Sequence, residues 1–352
     1  MARNVEGYAE LAAGVQVGTV RELFAFNDWG WAKLLESASG LSDEQLDRPF
    51  EMGPGSLRET INHLYAGERI WLDRWVGREP PRFRQKANGA SIAQLRDEHA
   101  ALVAERNAWL DAADGGLMSR TLRFRDSTGR ARVLSYGAML MHIGQHGSHH
   151  RAQAVNMIKR VGGTLPKFGA DYIFMKLEHP NGTPCVLDVA TIRAYYAFGD
   201  WATRVLQETA SSLTNEQLDR EFDIGLKTLR RTITHIRHAE QWWMANWTEG
   251  PGSAFPNKDE RVEVADNLRH FDDIAAQRDT MLAGMNDVDL RRTVVATPRP
   301  EMRFEFPIGV TMLQLCHHGV HHRAQALNML RHVGAPVPEI DFLEPLERGY
   351  VE

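Results

Sequence analysis

Histidine is the residue type whose spacing in this sequence suggests chemistry most directly. In each half of the chain, a pair of histidines four residues apart follows a single histidine in an earlier segment. Residues four apart lie on one face of a helix, with Cβ atoms about 5–6 Å apart, so each pair can direct both imidazoles at one centre. The first set is His63, His146 and His150, and the second set is His235, His318 and His322.

Three neutral imidazoles without a thiolate suit a divalent ion such as Zn, Ni, Fe, Co or Cu. Three protein ligands also leave a coordination position open for water or substrate, where the ion can act as a Lewis acid. A lone interior histidine is more often a hydrogen-bonded core residue, but three imidazoles buried together without partners are costly. The sequence therefore predicts a trihistidine site in each half and up to two divalent ions per chain.

Several polar residues near these histidines are further candidates. Glu68 and Glu240 each follow the single histidine by five residues. One interpretation is a hydrogen-bond acceptor for a ligating imidazole, or an acid or base near the open position. The alternative is an exposed helix salt bridge. Arg151 and Arg323 could hold an anionic substrate, and the competing interpretation is a surface ion pair.

The remaining histidines and the cysteines are not predicted to bind metal. His149 and His321 recur in both halves, but each is turned about 100° round the helix from its neighbour, which favours a contact on the helix surface or between helices over metal binding. His142 is matched by Gln314, so that position cannot be a ligand shared by both halves. Cys316 is assigned to packing.

A repeated sequence organises the chain into two copies. HGSHHRAQAVNMI, from residue 146, recurs as HGVHHRAQALNML, from residue 318, an offset of 318 − 146 = 172. The same offset joins LSDEQLDRPF to LTNEQLDREF and INHLYAGERIWLDRW to ITHIRHAEQWWMANW. One offset across separated segments indicates a duplicated domain. We assign the copies to 1–165 and 188–352, with a linker over 166–187.

Hydrophobic periodicity predicts the same elements in both copies. In each, a short hairpin is expected before the fourth helix, at TLRFRDSTGRARVLS and around ATPRPEM. The predicted fold class is therefore all-α, with two tandem four-helix bundles. The helices are expected at about 19–38, 56–75, 91–113 and 136–161, and at about 189–211, 228–247, 263–284 and 309–333.

Composition excludes several classes of protein. The 352-residue chain has a formal charge of -5 and no basic stripe, which argues against a nucleic-acid partner. Cys185 and Cys316 are far apart, so a disulfide framework and a cysteine-based zinc site are not expected. We find no signal-peptide pattern and no stretch of about 18 apolar residues, and so expect a cytoplasmic protein without a membrane partner.

Three motifs resemble the DinB/YfiT-like superfamily. They are FNDWGWAKLL in the first helix, NHLYAGERIW in the second and HGSHHRAQ in the fourth, where Ala152 replaces the glycine usual in that family. THIRHAEQWW and HGVHHRAQ carry the resemblance in the second copy. The resemblance implies four-helix bundles, each with a Zn, Ni or Fe ion held by the three histidines. It also implies either an intrachain pseudo-dimer in a monomeric protein or a homodimer.

The family resemblance supplies the functional hypotheses. The first is a metal-dependent S-transferase that acts on a small-molecule substrate and a low-molecular-weight thiol. The nearest variant is a hydrolase that uses metal-bound water. The rival from another class is a metal-binding, stress-associated protein without catalysis, and a further alternative is one active copy beside one structural copy.

Overall fold

A computed structural model of the chain describes residues 12, 14–80, 89–126, 129–165, 171–179, 186–250, 254–257, 260–299 and 302–344. These residues form two compact units, one ending before Asp171 and the other beginning there. Each unit is a helical bundle with one small antiparallel hairpin. The predicted fold class is therefore confirmed. In the described ranges, no helix is long and apolar enough to span a bilayer.

The first unit is built from four long helices. Helix α1 packs against α5 and α4, and α3 packs against the same two helices, which closes a four-helix ring. Strands β1 and β2 pair antiparallel with Thr121 opposite Ser135 and lead directly into α5. The elements are α1 Val17–Ser39, α2 Asp43–Asp47, α3 Leu57–Trp75, α4 Ile92–Asp111, β1 Thr121–Arg125, β2 Ala131–Ser135 and α5 Tyr136–Arg160.

The second unit repeats this arrangement and adds one short helix at its start. Strands β3 and β4 pair antiparallel, with an irregular register between Ala296 and Arg299. A 3-10 turn, Asp289–Arg291, precedes them. The elements are α6 Tyr172–Glu178, α7 Val189–Ala210, α8 Asn215–Asp219, α9 Leu229–Thr248, α10 Val264–Ala283, β3 Thr293–Arg299, β4 Met302–Pro307 and α11 Ile308–His332.

Local sequence explains where the long helices begin. Ser56, Ser91 and Ser135 each accept a hydrogen bond from a backbone N–H of the first turn, and Thr228 does so in the second unit. Such caps satisfy amide groups that have no partner within the helix. All eight predicted long helices agree with the structure to within two residues at each end.

Three short helices were not predicted. The five-residue α2 and α8 begin with capping boxes, Ser42 with Gln45 and Thr214 with Gln217, which the repeated DEQLD and NEQLD segments could have signalled. Helix α6 lies within the segment predicted as linker. It belongs to the second unit, where Tyr172 is fully buried. Of the predicted linker, 166–170 and 180–185, including Cys185, lie outside the described residues.

The core of each bundle lies between its long helices and next to the histidine-bearing faces. In α3, Leu57, Ile61 and Leu64 are fully buried and form one apolar stripe, as the periodicity predicts. Leu229 and Ile233 occupy the matching places in α9. Burying this stripe fixes how α3 and α9 are rotated, and therefore where their single histidines point.

Candidate metal centres

The first cluster joins helices α3 and α5. His63 Nε2, from α3, lies 3.1 Å from His146 Nε2, from α5. The ring centroid of His150, one turn further along α5, lies 4.5 Å from each of the other two. Gly67 lets the helices approach here, because a Cβ at that position would lie 3.2 Å from Cε1 of His146. One nitrogen of each histidine lies within 4.8 Å of the other two.

The second cluster repeats this geometry between α9 and α11. His235 Nε2 lies 3.1 Å from His318 Nε2. The ring of His322 has its centroid 4.6 Å from that of His235 and 4.4 Å from that of His318. The structure therefore brings together both sets of three histidines that the sequence singled out.

The geometry of both clusters fits a divalent ion. Two nitrogen ligands at about 2.0–2.1 Å from a tetrahedral ion are roughly 3.3 Å apart, close to the Nε2–Nε2 distance of 3.1 Å in each cluster. Among the described residues, no fourth histidine, cysteine or carboxylate joins either cluster. All six histidines are partly exposed, so neither cluster is fully enclosed by protein.

Burial keeps these imidazoles neutral. It lowers the pKa of His146 and His150 well below the ordinary 6.5, and the neighbouring histidines lower it further. Burial, with the charges of His238 and His321, likewise lowers the pKa of His235 to about 4. A neutral imidazole keeps a lone pair on one nitrogen, which is the form that binds a metal ion.

Glutamine residues that the sequence analysis did not select contact one histidine of each cluster. Gln153 Oε1 lies 2.8 Å from His150 Nδ1, and Gln325 Oε1 lies 2.9 Å from His322 Nδ1. The signal was present, since both glutamines lie three residues after the last histidine of their cluster and repeat at the 172-residue offset. By contrast, the Nδ1 atoms of His146 and His318 are buried and have no hydrogen-bond partner among the described residues.

Glu68 is buried in a polar network between α1, α3 and α4. Its Oε1 accepts hydrogen bonds from Asn27 Nδ2 at 2.8 Å and from Trp31 Nε1 at 2.7 Å. Its Oε2 lies 3.6 Å from His99 Nε2 and 3.9 Å from Arg106. The alternative of an exposed salt bridge is therefore wrong for Glu68. None of these partners belongs to the histidine cluster, and a catalytic or orienting role for Glu68 stays a prediction.

Glu240 occupies the matching place in the second unit with different partners. Arg278 is fully buried and binds Glu240 at 2.8 Å and Asp200 at 2.6 Å. Glu240 is buried as well, so an exposed salt bridge is wrong here too, and its role at the cluster also stays a prediction. Burial raises its pKa above the ordinary value, because Arg278 does not fully offset the loss of solvent.

Arg151 and Arg323 are internal residues. Arg151 donates to Asn27 Oδ1 and to Ser148 Oγ, and Arg323 donates to Thr203 Oγ1 at 3.2 Å. Both side chains are buried, so the interpretation as surface ion pairs is wrong. Binding of an anionic substrate by either arginine stays a prediction.

The first histidine of each adjacent pair and the described cysteine lie outside the clusters. His149 and His321 contact the glutamines Gln153 and Gln325, and neither joins the metal-binding group. Cys316 is buried, in agreement with its assignment to packing.

The surroundings of the two clusters differ. In the first unit, the ring of His142 lies 5.7 Å from that of His146 and packs edge-on against Trp71. In the second unit, Gln314 replaces His142, and its Oε1 accepts a hydrogen bond from the backbone N–H of Ile173 in α6. The two sites therefore present different groups on the same side of the histidine-bearing helix.

An aromatic ring flanks the second cluster. Phe255 lies with its ring centroid 5.6 Å from that of His235 and 5.7 Å from that of Trp242. A few residues later, Glu260 binds Arg237 at 2.9 Å and His238 at 2.8 Å, both on α9. These contacts attach the segment that carries Phe255 to α9.

Two helical bundles, each with an open trihistidine cluster, define a class of candidate metalloproteins. A model of the DinB superfamily matches residues 27–154, and a model of the DinB family matches residues 188–348. The chain therefore belongs to the DinB superfamily, with one family domain in each copy. Comparisons with curated proteins and with solved structures found no match.

Proposed function

We propose that this chain is a metal-dependent S-transferase that joins a low-molecular-weight thiol, through its sulfur, to an electrophilic small molecule. The observation that supports the proposal is the open trihistidine cluster. Three imidazole nitrogens converge in each unit, the rings are partly exposed, and no fourth ligand of the described residues closes the site. A site that served only to stabilise a fold would instead be expected to have four protein ligands.

The proposal assigns one divalent ion to His63, His146 and His150 and another to His235, His318 and His322. Such an ion supplies a positive charge that lowers the pKa of a thiol and favours the nucleophilic thiolate. In the transfer, the sulfur forms a bond to the electrophilic carbon, and the bond from that carbon to the leaving group breaks. The leaving group takes the bonding electron pair, and the proton of the thiol passes to the leaving group or to water.

The thiol has to come from outside the described part of the chain. Cys316 is buried, and both its burial and the charge of Glu240 raise the pKa of its thiol. It therefore lacks the reactive thiolate that nucleophilic cysteines need. The chain's own contribution is to hold three neutral imidazoles in place in each unit. An aromatic ring, Phe255, packs beside His235 in the second cluster, and in the first unit Trp71 packs on His142, whose ring lies 5.7 Å from that of His146.

The test uses the full chain. Protein purified without added metal is analysed for its elements and then loaded with Zn, Ni or Fe, one metal at a time. Each form is mixed with several low-molecular-weight thiols and an activated aryl halide, and thioether formation is followed by mass spectrometry. We expect thioether to form faster than without protein, and His150→Ala combined with His322→Ala to abolish the acceleration.

Each other outcome selects a different function. No thioether with any pairing of metal and thiol, at two bound ions per chain, would reject the transferase. Release of hydrolysis product from an ester substrate without thiol would favour the hydrolase that uses bound water. Bound metal with neither reaction would favour the non-catalytic metal-binding protein.

A further inference from the structure

One amide side chain in each unit hydrogen-bonds to two adjacent histidines. Gln153 Oε1 contacts His150 Nδ1 at 2.8 Å, and Gln153 Nε2 contacts His149 Nε2 at 3.0 Å. The second unit repeats both contacts at 2.9 Å and 2.8 Å, through Gln325. Because the arrangement occurs in two copies with different surroundings, it does not depend on the residues peculiar to either site.

With the amide in this orientation, the contacts place the proton of His150 on Nδ1. An amide oxygen only accepts hydrogen bonds, so His150 Nδ1 has to be the donor, and the neutral ring then has its lone pair on Nε2. The amide nitrogen only donates, so His149 Nε2 accepts and its proton lies on Nδ1. Rotating the amide by 180° would reverse both, placing the proton of His150 on Nε2 and its lone pair on Nδ1.

A glycine loop packs directly on this amide. Gly53 has a φ of 50°, and a Cβ built there would overlap Gln153 Oε1. Gly225 makes the same approach to Gln325 Oε1, with a φ of 44°. Each loop therefore restricts the amide that contacts the histidine.

We propose that Gln153 and Gln325 are positioning residues that preset His150 and His322 for metal binding. Each holds its histidine as the tautomer with a free Nε2 and is itself fixed by the adjacent glycine loop and by His149 or His321. The inference rests on the proposed metal binding, but it concerns the orientation of one ligand and not the reaction. Partners that orient metal-bound histidines typically contribute 10–100-fold to metal affinity.

The first test measures the affinity of the first site for Zn²⁺. Full-length chain with His322→Ala isolates that site, and Kd is obtained by competition with a chelator. We expect Gln153→Met to weaken binding by 10–100-fold and Gln153→Glu, which keeps an acceptor for His150 Nδ1, to stay within about threefold. The matched control is Gln145→Met on the same helix, since Gln145 is also buried but is replaced by His317 in the second copy.

A second pair of variants tests the glycine loop without altering the glutamine. Gly53→Ala and Gly55→Ala both place alanine at a positive φ, but only the Cβ at position 53 meets Gln153. Both are expected to lower stability, because alanine is strained at positive φ. We expect only Gly53→Ala to weaken Zn²⁺ binding.

A third measurement needs no variant of the glutamine. Long-range ¹H–¹⁵N NMR of the histidine rings in metal-free protein reports the tautomer directly, with His149→Phe and His150→Phe used for assignment. We expect both rings to carry the proton on Nδ1.

Two results would overturn the proposal. One is a proton on Nε2 of His150, and the other is a Gln153→Met protein that is folded and binds Zn²⁺ as tightly as the unsubstituted chain. If the unsubstituted chain binds no metal at all, the proposed function fails instead, and the tautomer measurement still tests the hydrogen bonds.

Discussion

Glu68 and Glu240 occupy equivalent positions, yet the pKa of one is lowered and that of the other is raised. Burial acts to raise the pKa of both. At Glu68, the contact with His99, the charge of Arg106 and the hydrogen bond from Asn27 outweigh burial and hold the pKa at about 2. The second copy keeps an arginine, Arg278, at the position of Arg106, but it has Phe271 at the position of His99 and Gly199 at that of Asn27. Glu240 therefore lacks the counterparts of His99 and Asn27.

This difference predicts the effect of exchanging one residue. We expect His99→Phe, which copies the second unit, to raise the pKa of Glu68, as measured by ¹³C NMR of the carboxyl group. A depressed pKa contributes stability that is present above the unfolded value of 4.5 and is lost as pH falls toward 2. His99→Phe should therefore lower the free energy of unfolding at pH 7 by about 1–3 kcal/mol. His270→Phe, at an exposed position on α10, is the control and should change neither quantity.

Arg278 is predicted to be among the side chains most important for stability of the second unit. It is fully buried between Asp200 and Glu240, so Arg278→Met leaves two buried carboxylates without their cation. Breaking a buried pair in this way costs about 3–5 kcal/mol. Arg303→Met removes one side of an exposed pair, and denaturant unfolding should show no effect. Equal stability of the two variants would mean that the buried network contributes little.

Two equivalent glycines are predicted to respond differently to alanine. A Cβ at Gly147 would overlap Asn27 Oδ1 and lie 2.8 Å from Arg151 Nη1. The three atoms nearest to a Cβ at Gly319 all belong to Arg323, and the nearest is Nη1 at 2.8 Å. The end of an arginine can move aside, but Asn27 is held by Glu68 and Arg151.

We expect Gly147→Ala to lower the free energy of unfolding by about 1–3 kcal/mol, because the added methyl group overpacks the site. Gly319→Ala should leave the free energy of unfolding unchanged or raise it by up to about 1 kcal/mol, because alanine has a higher helix propensity than glycine. Thermal unfolding of both variants measures the difference, and destabilisation by Gly319→Ala of the same size would contradict it.

The metal-free protein should lose stability as pH falls below about 6.5. The folded state lowers the pKa of the cluster histidines, that of His235 to about 4, while the unfolded chain protonates near 6.5. Between these pH values the unfolded state therefore binds more protons than the folded state. Each such histidine lowers the free energy of unfolding by up to about 1.4 kcal/mol for each unit that the pH falls. Urea titrations of metal-free protein at pH 7.5, 6.5 and 5.5 test this, and a flat profile over that range would contradict it.

Removing one ligand should empty one site and leave the other filled. We expect His150→Ala to reduce bound Zn from two ions per chain to one, because the two histidines left are a weak ligand set. Elemental analysis after removal of free metal gives the ratio. His270→Ala, at an exposed position, is the control and should retain two ions.

The two copies, the eight long helices and the six candidate histidines could all be predicted from the sequence alone. These follow from local patterns: apolar residues repeat with the helical period, a serine or threonine cap precedes four of the long helices, and His146 and His150 are one turn apart. The repeat strengthened each inference, because any feature required by the domain occurs at both positions. The five-residue helices were missed because one turn is too short to show a period.

The surroundings of those histidines could not be predicted from the sequence, because they come from residues far apart in the chain. The spacing of Glu68 from His63 along α3 predicts either a role beside the histidine cluster or an exposed salt bridge. Its partners Asn27 and His99 come from two other helices, which the spacing cannot indicate. The glutamine that orients His150 was visible in the sequence, yet its role depends on a glycine loop about 100 residues earlier that packs on the amide. Periodicity fixes which face of a helix is buried. Hydrogen-bond partners and pKa values are set by the side chains that folding brings from elsewhere in the chain.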